Sequence, residues 1–145
     1  MAFHRSESLG FVTNHLARIM EQALQRRLKP LGLSTGYFPA LLELWEEDGL
    51  TQKALVSRLN IEQATIANTL SRMERDGLIR REPDPEDGRS RRIRLTGTGR
   101  SAQAPAVAAA EAVNAEMLAP LPEEERRRLV SSIGAVVGAA VKRGA

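Results

Sequence analysis

The sequence predicts a mainly α-helical fold that carries one small β-hairpin. Three observations lead there. Apolar residues recur at three- and four-residue steps through most of the 145 residues. Between Leu78 and Thr96 that period gives way to apolar–basic alternation around a turn-rich loop. Short Pro, Gly and Asp-Gly breaks divide the helical stretches, and Ser, Thr or Asn stands where helices would begin.

The elements follow in order. Ser8 to Lys29 reads as one long helix with Leu9, Val12, Leu16, Ile19 and Ala23 on one stripe, stopped at Pro30-Leu31-Gly32. A helix of about 20 residues is ~30 Å long, more than one small core can cover, so it calls for a partner. A second helix spans Ser34 to Glu47, with Ser34 as cap and Phe38, Leu41, Leu42 and Trp45 on its apolar side. Asp48-Gly49 breaks it. Thr51 caps a short helix, Gln52 to Leu59, that buries Ala54, Leu55 and Leu59. Asn60 and Gln63 have the spacing of a capping box at the head of the next helix, whose inward stripe is Ile66, Leu70 and Met73 and which stops at Asp76-Gly77.

Leu78 to Glu82 is the first strand, Pro83 to Ser90 a polar loop, and Arg91 to Thr96 the returning strand, so a hairpin with a protruding tip is expected. Gly99 to Ala119 is an alanine-rich helix. After Pro120-Leu121-Pro122 a last helix opens with Glu123-Glu124-Glu125 and continues Arg126-Arg127-Arg128, an order that suits the helix dipole and favours Glu-to-Arg pairs. Its apolar side is Leu129, Val130, Ile133, Val136, Val137 and Ala140.

Composition removes whole classes of function. Cysteine is absent, which excludes disulfides, thiolate metal sites, cysteine nucleophiles and thiol-based sensing. His4 and His15 are eleven residues apart, and there is no phosphate-binding glycine loop, nucleophile elbow or metal-ligand spacing, so neither an enzyme nor a cofactor or metal is expected. No apolar run approaches the ~20 residues of a membrane span and no secretory signal opens the chain, so the expected location is cytoplasmic. The net charge of +3 permits nucleic acid without demanding it, and the placing of the arginines has to decide.

Two capped helices joined by a tight turn and followed by a hairpin make a winged helix-turn-helix. With Ile66, Leu70 and Met73 inward, the second of these helices turns Gln63, Ala64, Thr65, Asn68, Ser71, Arg72 and Arg75 outward. Small residues allow close approach to a major groove, Asn bonds an adenine edge, and Thr or Ala meets a thymine methyl. The hairpin segregates its charges. Five arginines (Arg89, Arg91, Arg92, Arg94 and Arg100) follow the acidic turn Asp84-Pro85-Glu86-Asp87 with no acid among them. Asp87 can brace the loop through an ion pair with Arg89, leaving Arg89 at the tip for a narrow minor groove, while the other arginines meet phosphates. The plainer alternative for both features is a solvated, highly charged surface.

Asp84-Pro85-Glu86-Asp87-Gly88-Arg89-Ser90-Arg91-Arg92-Ile93-Arg94-Leu95-Thr96, followed by Gly99, resembles the wing signature of the multiple-antibiotic-resistance regulator (MarR) family. Leu50 to Leu55 and Met73 to Ile79 resemble that family's helix-turn-helix and its Gly-Leu-Ile approach to the wing. The likeness covers essentially the whole chain. It implies a single domain over 1–145, with dimerisation helices in 1–32 and 99–145 around a DNA-binding region at 33–98. It implies a homodimer on double-stranded DNA, released by a small ligand, with Asp87 and Arg89 as the wing pair. Many members of the family carry a basic residue where Asn68 stands, which points base readout here towards A·T pairs. The family's cysteine-based oxidant sensors are excluded.

Phe11, His15, Arg18 and Gln22 follow helical steps beside the first helix's apolar stripe, and with Phe38 and Trp45 they form a candidate pocket for an aromatic carboxylate. The competing reading puts Phe11 in a dimer contact, Trp45 in the core, and His15 and Arg18 in water. The reading as a whole is a sequence-specific transcriptional regulator, most simply a repressor, acting as a homodimer. A winged-helix protein-interaction module and a non-specific architectural DNA binder are the alternatives.

Overall fold

A computed structural model describes residues 2–144, which fall into two compact units divided between Ala110 and Glu111. The order is α1 (Leu9–Leu28), α2 (Phe38–Glu46), α3 (Gln52–Leu59), α4 (Gln63–Arg75), β1 (Ile79–Pro83), β2 (Arg91–Leu95), α5 (Gly97–Ser101), α6 (Gln103–Leu118) and α7 (Glu123–Lys142). No helix among the described residues is long and apolar enough to cross a membrane.

Helix α1 is capped by Ser8, whose hydroxyl accepts from the Phe11 amide, and the chain leaves it through a 3-10 turn to Gly32 in the left-handed region. Only Ala23 and Leu28 of this helix are buried; Leu9, Phe11, Val12, Leu16 and Ile19 stay exposed. The second helix starts later than its sequence suggests. Ser34 caps a 3-10 turn, Thr35–Tyr37, and α2 begins at Phe38 with Pro39 in its first turn, where a missing N–H costs nothing. Its buried side is Ala40, Leu41 and Leu44, whereas Leu42, expected inside, is 45% exposed.

Thr51 caps α3 by accepting from the Ala54 amide at 3.0 Å. The expected Asn60–Gln63 capping box does not form. Asn60 adopts φ 52°, ψ 43° and its amide bonds to the Val56 carbonyl, so it closes α3 as a left-handed residue, and Glu62 precedes α4 without a side-chain cap. Asparagine tolerates that conformation because its short side chain bonds locally.

Ile66, Leu70 and Met73 of α4 are buried as expected, joined by Thr69. They meet Leu28, Leu41, Leu44, Leu55, Ile79 and Ile93 in one core beneath the hairpin. Strands β1 and β2 pair antiparallel from Ile79↔Leu95 to Pro83↔Arg91. Residues 49–51 lie along the other edge of β2 through Gly49 N–H to Ile93 O (3.0 Å) and Ile93 N–H to Leu50 O (2.8 Å). This fixes the wing against the head of α3.

The helix expected over Gly99–Ala119 is two helices, since Thr96 caps a short α5 that gives way to α6 at Ala102. Helix α7 buries no residue: Leu129, Val130, Ile133, Val136 and Val137 are all exposed. Its Glu124–Arg128 pair, 3.1 Å apart, lies in water and adds little stability.

Candidate nucleic-acid interface

The core grips one side of α4, which decides what the other side shows. Gln63, Ala64, Thr65, Asn68, Ser71, Arg72 and Arg75 are all exposed. Beside this face stands the hairpin, whose tip is built from its own acids. Asp84 is 92% removed from solvent; its Oδ1 accepts from the Glu86 amide (3.1 Å) and from Arg92 Nε (3.1 Å). The Glu86 amide first, and then the Arg92 guanidinium, hold this carboxyl below its usual range against the opposing effect of burial. Asp84 N–H to Ser90 O (3.1 Å) and Ser90 N–H to Asp87 O (3.0 Å) close the loop.

Asp87 braces the tip differently from the expected ion pair. Its Oδ1 accepts from the Arg89 backbone amide at 3.0 Å, so the Arg89 side chain projects without a bonded partner among the described residues. The other arginines divide by role. Arg91 is exposed and equally uncommitted, whereas Arg92 donates to Asp84 and, through Nη1, to the Gly49 carbonyl at 3.0 Å. Arg94 bonds Glu82 at 3.3 Å and Arg100 bonds Asp48 at 3.2 Å. Glu82 also takes Arg80 at 2.9 Å, and these two cations, Arg80 foremost, keep its carboxyl below the usual range. Arg92 is thus a strut of the wing, and the unbonded positive charge is concentrated on Arg89 and Arg91.

Asp87, Arg89, Ser90 and Arg91 of the wing line one wall of an open cleft of about 430 Å³. Gln52, Lys53 and Val56 from α3 and Gln63 from α4 line the rest. Lys53 and Gln52 were not singled out from the sequence; a lysine in a helix's first turn reads as a solvated charge until the wing is folded beside it.

The candidate ligand residues fall into separate groups. Phe11 and His15 meet edge-on on exposed α1 with ring centres 6.3 Å apart, and Arg5 sits 5.8 Å over Phe11. Phe38 and Trp45 meet edge-on at 6.0 Å and pack on the core, and Trp45 Nε1 donates to the Gly99 carbonyl at 2.9 Å. Arg18 lines an open depression of about 480 Å³ with Glu21, Gln22, Gln25, Arg26 and Thr35, and the other four do not line it.

Comparison with known proteins agrees with this geometry. A model of the MarR family matches residues 33–90, the stretch from before α2 to the end of the wing loop. The transcriptional regulator HosA of Escherichia coli O111:H- is 31% identical over 138 residues, 95% of this chain and 96% of that protein. The crystal structure of a MarR transcriptional regulator from Methanosarcina mazei Go1 superposes with a TM-score of 0.86 at 25% identity, over 92% of this chain and 96% of that one. The PcaV transcriptional regulator from Streptomyces coelicolor, solved in complex with its natural ligand, gives 0.77 at 29% identity over 97% and 99%. The long first helix, the tightly joined α3 and α4, and the braced hairpin therefore have one common explanation: the chain belongs to the MarR family of transcriptional regulators, and its DNA-binding element is this winged helix.

Proposed function

We propose that the protein acts as a homodimer that reads a pseudo-palindromic operator and represses transcription by occupying it. The observation that carries this reading is the outward face of α4. Gln63, Ala64, Thr65, Asn68, Ser71, Arg72 and Arg75 give it small, polar and basic side chains, and it stands beside a hairpin tip whose two exposed arginines, Arg89 and Arg91, are left unbonded. Asn68 suits an adenine edge and Thr65 a thymine methyl, while Arg72 and Arg75 suit phosphates. Arg89 and Arg91 suit the adjacent minor groove, where negative potential is concentrated.

Support for the dimer is the apolar surface that α1 and α7 each leave open. Val12, Leu16 and Ile19 on the one, and Leu129, Ile133 and Val136 on the other, are 37–53% exposed. An exposed apolar stripe on each helix is characteristic of an interface. Two-fold symmetry then places the two recognition helices about one helical turn, ~34 Å, apart. For release, a small aromatic ligand near α1 is the reading, held at the open depression that Arg18 and Gln22 line, and PcaV's complex with its natural ligand supports small-molecule binding as such.

Hydroxyl-radical footprinting tests this, on a duplex enriched by the protein from a random library. Two symmetric protected half-sites about one turn apart are expected, with protection lost on adding an aromatic acid from a small panel. A single unsymmetric footprint, or diffuse protection along the duplex, would overturn the proposal.

A further inference from the structure

We infer that Arg81 is a positioning residue that turns Ser71 of α4 into a fixed hydrogen-bond donor toward DNA. The inference rests on the reading of α4 as the element that faces DNA. Arg81 belongs to β1 and pairs with Ile93 across the hairpin, yet its side chain reaches α4. Nη2 donates to the Ala67 carbonyl at 3.3 Å and to Ser71 Oγ at 3.1 Å, two acceptors one helical turn apart. The Arg81 backbone amide donates to Glu74 Oε2 at 3.2 Å, so one wing residue engages three positions along the same side of α4.

Packing does not account for an arginine here. Its Nε is buried with no hydrogen-bond partner among the described residues, an unfavourable arrangement that a methionine of similar length would avoid. The two protons of the single nitrogen Nη2 serve both acceptors, which an apolar side chain of this length cannot do.

The effect falls on Ser71. A helical serine ordinarily turns its proton back to the carbonyl four residues earlier, which here is Ala67. That carbonyl already accepts from the Ser71 amide within the helix and from Arg81, so both its lone pairs are taken. Arg81 also donates into one lone pair of the Ser71 hydroxyl. The proton is left to point away from the helix, and Ser71 is exposed between Asn68 and Arg72. It offers a donor of set direction to a phosphate oxygen or a base-edge acceptor.

A double-mutant cycle with Ser71→Ala and Arg81→Met tests this, read by fluorescence anisotropy over a salt series. The probes are a duplex enriched by the wild-type protein from a random library and a scrambled control. Each single variant is expected to bind the enriched duplex about five- to tenfold more weakly with an unchanged salt slope, and the double variant no more weakly than either. Losses that multiply, or no loss for Ser71→Ala, would overturn the inference. So would a salt slope reduced by about one in Arg81→Met, which marks a direct phosphate contact. If Arg81→Met unfolds, Arg81→Gln, whose shorter amide keeps a polar tip but falls short of both acceptors, must show the same loss with the same coupling. Wild-type protein that enriches no sequence would overturn the reading of α4 itself, a different result from additivity on a bound operator.

Discussion

Tyr37 Oη donates to Asp76 Oδ2 at 2.5 Å, joining the turn before α2 to the residue that closes α4. Two residues earlier, Thr35 N–H donates to Gln25 Oε1 of α1 at 3.0 Å, and Gln25 Nε2 reaches the Leu33 carbonyl at 3.4 Å. One short turn therefore holds both α1 and the C-terminal end of α4. The Tyr37 hydroxyl is the leading reason the Asp76 carboxyl sits below its usual 3.8, with Arg75 adding to it. Burial first, and then Asp76, push the Tyr37 phenol above 10.0.

Tyr37→Phe should lower stability with a particular pH signature. A carboxyl whose folded value is depressed contributes stability that is complete above its unfolded value and lost as pH falls through the folded one. A phenol whose folded value is raised contributes stability that is complete below 10.0 and lost as pH rises through its folded value. The gap between wild type and variant in urea unfolding is expected to be widest between about pH 5 and pH 9 and to narrow outside that window. A gap constant across pH would contradict the assignment.

Gly99 stands where no side chain fits. A Cβ there would lie 2.1 Å from the Leu78 carbonyl oxygen, and the Gly99 carbonyl is the acceptor for Trp45. Gly99→Ala is expected to cost about 1–3 kcal/mol, measured by denaturant unfolding. Gly88→Ala, with open space around the added carbon, serves as the neutral control. Equal midpoints for the two variants would contradict the packing.

The wing arginines should separate by assay. Arg89→Ala is expected to weaken DNA binding and lower its salt slope by about one while leaving the melting temperature unchanged. Arg92→Ala deprives Asp84 and the Gly49 carbonyl of their shared donor and is expected to lower the melting temperature and speed amide exchange at the tip. The reverse pattern would contradict the division of roles.

The apolar face of α7 gives a test of assembly. Ile133→Glu places a charge on a surface expected to be buried between two copies, so sedimentation velocity should show a dimer for wild type and a lighter species for the variant. A wild-type monomer, or a variant of unchanged mass, would contradict the dimer.

Much of this was legible in the sequence for a simple reason. The stripe Ile66–Leu70–Met73 and the alternation Arg92–Ile93–Arg94–Leu95 are local patterns, set by which face each element buries. The outward arc of α4 followed by subtraction. What local pattern could not reveal was how the arginines are spent, because their partners are remote: Arg92 reaches Gly49 across 43 positions and Arg81 reaches Ala67 across 14. Asn60 was misassigned because the same residue type suits a helix start and a left-handed helix end. Leu42 and Leu44 lie on a short helix with apolar residues on more than one side, so the neighbours, Leu41 among them, decide which is inside. The split at Ala102 does have a local cause, Pro105, which has no N–H for the Ser101 carbonyl and sits in the first turn of α6; the even run of alanines around it hides the break.

The most direct measurement is fluorescence anisotropy of the protein on its enriched duplex and on a scrambled duplex, each at two salt concentrations. The account predicts a preference of about 10³-fold or more for the enriched duplex that persists at the higher salt. Equal affinity for both, falling steeply together with salt, would reduce the outward face of α4 to a non-specific basic surface and contradict it.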